Sequence, residues 1–302
     1  MMNRLMKICI ALWCVLWLAV DPLVVASDSS GSSAADIAID NKSVDKEVEV
    51  KAEDKTAERR ERIMQDAVDA LAKTRSALKA LEEDRTNDAL EALAAATGKL
   101  ELIVAREPSL ALAPTGVVVS RHDVLGTKES INNAIKEVQS AIEDGDIQGA
   151  RRLLDGLASE IVISVSNLPL ATYPDAIKAI TPLIDTGKID SAKAALQTAL
   201  NTVVVSDYIV PLPVIRTEAL LEKAEALTEK KDRSAAEKSE LAMLLQAARS
   251  QLEIAQMLGY GDEADFNPFY TQLSDIEKKT EAGQSGTGLF DKLKGSMSKL
   301  WN

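Results

Sequence analysis

Leu81-Glu-Glu-Asp-Arg-Thr-Asn-Asp-Ala-Leu90, Ile142-Glu-Asp-Gly-Asp-Ile-Gln-Gly-Ala-Arg151 and Ile184-Asp-Thr-Gly-Lys-Ile-Asp-Ser-Ala-Lys193 align without a gap. In each, an apolar residue closes one helical pattern, a short polar run turns the chain, and a small residue (Ala89, Ala150, Ala192) sits where the next helix begins. A small side chain there lets the second helix close onto the first. The three stretches therefore read as tight turns of antiparallel αα-hairpins. Their spacings, 61 and then 42 residues, are unequal, so the chain is not a regular solenoid.

Helical periodicity extends outward from these turns. Ile63, Ala67, Ala70, Leu71, Leu78 and Leu81 recur at three- and four-residue intervals, and a second helix is expected from Asp88 through Leu102. Thr127 precedes Ile131, Ile135, Val138 and Ile142. Pro174 suits the first turn of a helix carrying Ile177, Ile180 and Ile184. Ser234-Ala-Ala-Glu237 is a capping box, and the helix it starts is expected to stop at Gly259-Tyr-Gly261. Val117–Val119, Ile161–Val165 and Val203–Val210 are β-branched and resist this pattern. They read as short strands or extended crossings buried against helices. The fold class is mainly α, a multi-helix bundle of antiparallel hairpins with at most minor β or extended segments.

The ends differ from the middle. Arg4 and Lys7, the apolar run Ile8–Val20, and Val24 and Ala26 before a cut give residues 1–26 the pattern of a secretory signal peptide. Secretion is expected, and both cysteines, Cys9 and Cys14, would leave with the peptide. Residues 27–56 read as a disordered charged linker. A helical domain is expected over 57–280, and a Gly hinge with an amphipathic C-terminal helix over 281–302. In that helix Leu289, Phe290, Leu293, Met297, Leu300 and Trp301 share one face, flanked by Lys292, Lys294 and Lys299. The face is the candidate interaction surface, either docked on the protein's own body or offered to a client or membrane surface.

Of 302 residues, 46% are hydrophobic and 3% aromatic, enough for a core packed largely through Ala and Leu. The 35 cations against 47 anions give −12, and loss of Arg4, Lys7 and Asp21 leaves −13, which argues against nucleic acid as a partner. His122 is the sole histidine, so a His-rich metal site within one chain is excluded; a triad would need His122 with Asp123, and no Gly-x-Ser-x-Gly elbow accompanies them. Asp144-Gly-Asp146 resembles the start of a calcium loop, but Arg152 and Asp155 stand where later ligands belong. Gly283–Gly288 lacks the Lys-Ser/Thr ending of a phosphate loop. No catalytic residue, cofactor or metal is expected, and the protein reads as a non-enzyme.

Leu110-Ala-Leu-Ala-Pro114, Ala158-Ser-Glu-Ile-Val-Ile163, Asn167-Leu-Pro-Leu-Ala-Thr-Tyr-Pro174, Ala199-Leu-Asn-Thr-Val-Val-Val205, Pro211-Leu-Pro-Val214 and Leu258-Gly-Tyr-Gly261 together resemble the YfdX family of bacterial periplasmic proteins. The resemblance runs from about Ala72 to the C-terminus and includes Gly286-Thr-Gly-Leu-Phe290. It implies a mainly helical periplasmic fold, a homo-oligomer, a link to envelope or acid stress, and chaperone-like binding of unfolded or envelope proteins. It supplies no catalytic residues. The alternative is a hairpin scaffold for one dedicated envelope partner, with membrane contact only through the C-terminal helix.

Overall fold

The computed structural model describes residues 41–124, 126–283, 285, 288 and 290–297. The signal pattern, both cysteines, residues 27–40, Leu289, Leu300 and Trp301 lie outside them. The described elements are α1 (Asn41–Glu61), α2 (Gln65–Glu82), α3 (Thr86–Arg106), β1 (Leu112–His122), α4 (Lys128–Glu143), α5 (Ile147–Asp155), β2 (Glu160–Pro169), α6 (Tyr173–Asp185), α7 (Ile189–Leu200), β3 (Val204–Pro211), α8 (Leu212–Thr228), α9 (Ala235–Met257), α10 (Glu263–Glu281) and α11 (Asp291–Met297). An αα-hairpin followed by a strand thus occurs three times in succession. The fold is mainly α with one small antiparallel sheet, ordered β1-β2-β3.

The three hairpin turns share backbone chemistry as well as sequence. Asp84 (φ 57°), Gly145 (φ 77°) and Gly187 (φ 72°) occupy the same aligned position, and each adopts the left-handed conformation that ends a helix. The next amide in each turn reaches back to the carbonyl five residues earlier: Arg85 to Ala80, Asp146 to Ala141 and Lys188 to Leu183, each at 2.8 Å. Ala89, Ala150 and Ala192 are all buried beyond the turn.

Two cores result. α2, α3, α6 and α7 bury Leu71, Leu81, Leu93, Leu100, Ile103, Tyr173, Ile177, Ile180 and Leu196 between two hairpins. The other core surrounds α8, which buries side chains on every side, from Leu212, Val214 and Ile215 to Leu220, Leu221 and Leu227. A helix apolar all round needs neighbours all round. α1, α9, α10, α11 and one face of the sheet supply them. β2 joins the cores: Ile161 and Ile163 point into the α8 core, and Leu168 packs into the four-helix cluster.

The sheet is longer than its flagged β-branched runs. β2 pairs with β1 from His122↔Glu160 to Leu112↔Pro169, with a bulge between Pro114 and Gly116, and with β3 from Glu160↔Pro211 to Asn167↔Val204. Alternation along β2 buries Ile161, Ile163, Val165 and Asn167, leaving Val162, Ser164 and Ser166 on the other face.

The expected disordered linker over 27–56 is corrected for residues 41–56, which form most of α1. Its charge density gives the composition of disorder, but Val44, Val48, Ala52 and Thr56 repeat every four residues along one stripe. Val44, Val48 and Thr56 are buried and Ala52 packs against the same core. Lys51 adds ion pairs to Glu222 (2.7 Å) and Glu218 (3.4 Å) of α8.

Several expected helix ends are reproduced. Thr127 accepts from the Ser130 amide, and Ser234 and Glu237 form their reciprocal capping box. Gly259 takes φ 81° just past α9.

Candidate functional site

The face of the sheet turned away from α8 exposes several large aliphatic side chains to solvent. Register places Ser120, Val162 and Ile209 in one row, Val118, Ser164 and Asp207 in the next, and Gly116, Ser166 and Val205 in the third. Val118 is 66% exposed, Val205 58% and Ile209 49%. These three aliphatic side chains and half-buried Val162 form a shallow apolar surface crossed by hydroxyls. Ser164 Oγ donates to Asp207 Oδ1 at 2.6 Å, so the one carboxylate in these rows is tied down within its own row. No further strand pairs with the outer edge of β1 or β3 among the described residues. An apolar face bounded by open edges can take an extended polypeptide, whose backbone pairs with an edge while alternate side chains lie on the face.

The opposite face is covered along β2, where Ile161, Ile163 and Val165 are buried, while Val119, Val204 and Tyr208 on the outer strands stay partly exposed. α1 crosses it and places the Arg59 guanidinium 3.7 Å over the Tyr208 ring. The contact between α1 and α8 holds a cluster of polar and charged groups: Ser43, Glu47 and Lys51 on α1, and Glu218, Glu222 and Lys223 on α8. Burial, together with a hydrogen bond shared with Glu222, pushes the Glu47 carboxyl up to about 7. Burial raises Glu218, against the opposing pull of Lys51. Burial acts against the charged form of Glu222 too, but hydrogen bonds from Glu47 and Lys51 hold that carboxyl low. Lys223 also reaches Ser43.

At the far end of the sheet, His122 lies exposed opposite Glu160. Its neighbour Asp123 is bound by Arg216 through two hydrogen bonds, at 2.7 and 3.1 Å, and by Arg121 at 3.3 Å. Burial works against its charged form, but Arg216 overrides it and holds the carboxyl below its ordinary value. That carboxylate anchors α8 to the end of β1, and it is not oriented on His122. Tyr260, from the Gly259-Tyr-Gly261 turn, accepts the Ser159 amide at 2.8 Å and ties the α9–α10 corner to the start of β2.

Of the two alternatives for the C-terminal helix, the described half of its apolar face takes docking on the protein's own body, while Leu289, Leu300 and Trp301 lie outside the described residues. Phe290, Leu293 and Met297 are essentially fully buried in the α8 core, and Lys294 pairs with Glu225 of α8. Attraction between the tail lysines and the acidic body thus operates within the chain. The calcium-like stretch serves as a helix turn: Gly145 is left-handed, and Asp146 Oδ1 accepts the Gly149 amide at 2.8 Å to cap α5. Among the described residues no group of three or more His, Cys, Asp or Glu side chains is placed to hold a metal ion. No described helix is long and apolar enough to cross a membrane.

Sequence reasoning flagged the β-branched runs but assigned them to burial, and so passed over the open sheet face. The signal was present in β3: Val205, Asp207 and Ile209 alternate with Val204, Ser206 and Tyr208, so a polar residue falls in each set and neither face is uniformly apolar.

The YfdX protein family model matches residues 70–209, which span α2 through most of β3. A solved structure of YfdX from Salmonella Typhi is 17% identical, with a TM-score of 0.35, covering 50% of this chain and 93% of that one. A search of curated proteins finds no match.

Proposed function

We propose, from the match of residues 70–209 to the YfdX family model, that the protein is a non-enzymatic, exported stress protein. It holds unfolded clients on the open face of its three-stranded sheet. The observation that carries this reading is the exposure of Val118, Val205 and Ile209 on one uncovered face, in a chain whose net charge of −12 keeps it dispersed. The surface suits extended polypeptide: its rows alternate aliphatic and hydroxyl groups, and two strand edges are open beside it. The periplasm supplies such clients, and the signal pattern of residues 1–26 supports that address. Acid strengthens capture, because protonation of carboxylates near pH 4 to 5 removes the repulsion between an acidic holder and acidic clients.

The test is light scattering from an aggregating, unrelated client, with the mature protein titrated from about pH 7 to about pH 4. Substoichiometric protection that grows as pH falls is expected. Val118→Asp/Ile209→Asp should weaken it at least about tenfold, since two aliphatic contacts are each worth about 1.5 kcal/mol or more. Absence of protection at every pH with the protein still folded by circular dichroism, or full protection by the double variant, overturns the proposal.

A further inference from the structure

The three hairpins are alike in sequence but not in what covers them. α2–α3 and α6–α7 bury one face against each other, with α2 on α7 and α3 on α6. First helix meets second in both contacts, the arrangement a two-fold axis produces. The α4–α5 hairpin has no such counterpart among the described elements, and beyond its own helix pair its main packing partner among them is α9.

Aligned positions make the difference specific. Ile142 corresponds to Leu81 and Ile184, which are 0% and 5% exposed; Ile142 is 51% exposed. Leu154 corresponds to Leu93 and Leu196, at 1% and 0%; Leu154 is also 51% exposed. Ile135 is half-buried where Thr74 and Ile177 are fully buried. Ile131, Val138 and Ala150, which close the hairpin on itself or lean toward α9, are buried like their counterparts. The middle hairpin therefore folds as its sisters do, and no described residue covers its docking face as theirs are covered.

We propose that this face is a self-association surface: the α4–α5 hairpin docks on the same hairpin of a second copy, α4 on α5 and α5 on α4. The resulting four-helix cluster repeats, between two chains, the contact that the first and third hairpins make within one. The same patch on both copies is self-complementary, as a two-fold interface requires. Charge fits the crossing. α4 carries Glu129, Glu137 and Glu143 against Lys128 and Lys136, and Lys128 is already paired with Glu253 of α9 at 2.6 Å. α5 carries Arg151 and Arg152 against Asp155. Glu143 and Arg151 lie at the margins of the apolar patch, beside Ile142 and Leu154, and are the charges the crossing brings together; Glu137 and Arg152 fall at positions that stay exposed in both sister hairpins. Ile142 and Leu154 become the central apolar contacts, each present twice.

Sedimentation equilibrium of the mature chain tests this. The wild type should form dimers or larger even-numbered assemblies below about 100 µM, and Ile142→Asp/Leu154→Asp should raise the dissociation constant at least about 100-fold. Both side chains are already half in water, so the variant keeps its helical circular dichroism. A second pair of variants carries reversed charge. Arg151→Glu alone should weaken assembly, and mixing it with Glu143→Lys should restore it. Val118→Asp/Ile209→Asp, on the sheet face, should assemble as the wild type does, which separates this surface from client capture. A wild type that stays monomeric at about 100 µM, or an Ile142→Asp/Leu154→Asp variant that assembles like the wild type, overturns the proposal.

Discussion

Two glycines, Gly98 and Gly187, should respond to the same substitution with opposite signs. Gly187 closes the α6–α7 turn at φ 72°, and an added Cβ would meet nothing within 4 Å. The cost of Gly187→Ala is therefore one of backbone alone: about 1–2 kcal/mol for placing an L-residue in the left-handed region. Reduced freedom of the unfolded chain returns about 0.4–1 kcal/mol, so the net loss is about 1 kcal/mol. Gly98 lies inside α3, and its added Cβ also meets nothing within 4 Å. There the alanine gains helix propensity, and Gly98→Ala should stabilise by about 0.8–1 kcal/mol. Space is equal at the two sites, so their difference, about 2 kcal/mol, isolates the conformation of the hairpin turn. Urea unfolding followed by far-ultraviolet circular dichroism reads it as midpoints moving in opposite directions at constant slope. Midpoints that move the same way would refute the shared left-handed turn on which the hairpin assignment rests.

Further outcomes follow from the packing. Arg216→Ala leaves the Asp123 carboxylate with only its longer contacts to Arg121 and Ser159 and should cost about 2 kcal/mol in thermal unfolding, part of which Asp123→Ala in the same chain recovers. Phe290→Ala empties a fully buried site in the α8 core and should cost about 3 kcal/mol or more, with faster proteolysis after Gly283. A tail that is instead a free binding face would lose client protection and no stability. The Glu47 carboxyl is raised in the folded state from 4.5 to about 7, so the native protein binds the extra proton and this contribution to α1 docking falls as pH rises between those values. Glu222, held low, acts in the opposite sense, and its contribution is lost as pH falls below its unfolded range. Hydrogen exchange in residues 41–61 should therefore be slower at about pH 5.5 than at about pH 8, after correction for intrinsic rates, and equal protection would count against the shared proton.

The helical hairpins were legible because their signals are local. A three-residue turn with a left-handed position, a small residue after it and apolar spacing of three and four all lie within twenty residues of each other. Two features were not legible. α1 has the composition of a disordered segment, and only four small or β-branched residues at four-residue spacing show that it can lie on another helix. Its docking depends on α8, more than 150 residues away, and no local pattern reports that. The exposure of Val118, Val205 and Ile209 has the same origin. β-branched runs announce strands, but which face is covered depends on where α1 and α8 come to lie. The tail is the converse case: its periodicity was plain, and only the tertiary fold shows that Phe290, Leu293 and Met297 complete the protein's own core.

The most direct test of the central claim is backbone hydrogen exchange of the full mature chain with and without a saturating unfolded client. Added protection should concentrate in residues 112–122 and 204–211, the outer strands whose edges and upper face are open. Protection confined to the C-terminal helix or to α2 and α3, with β1 and β3 unchanged, would contradict capture on the sheet.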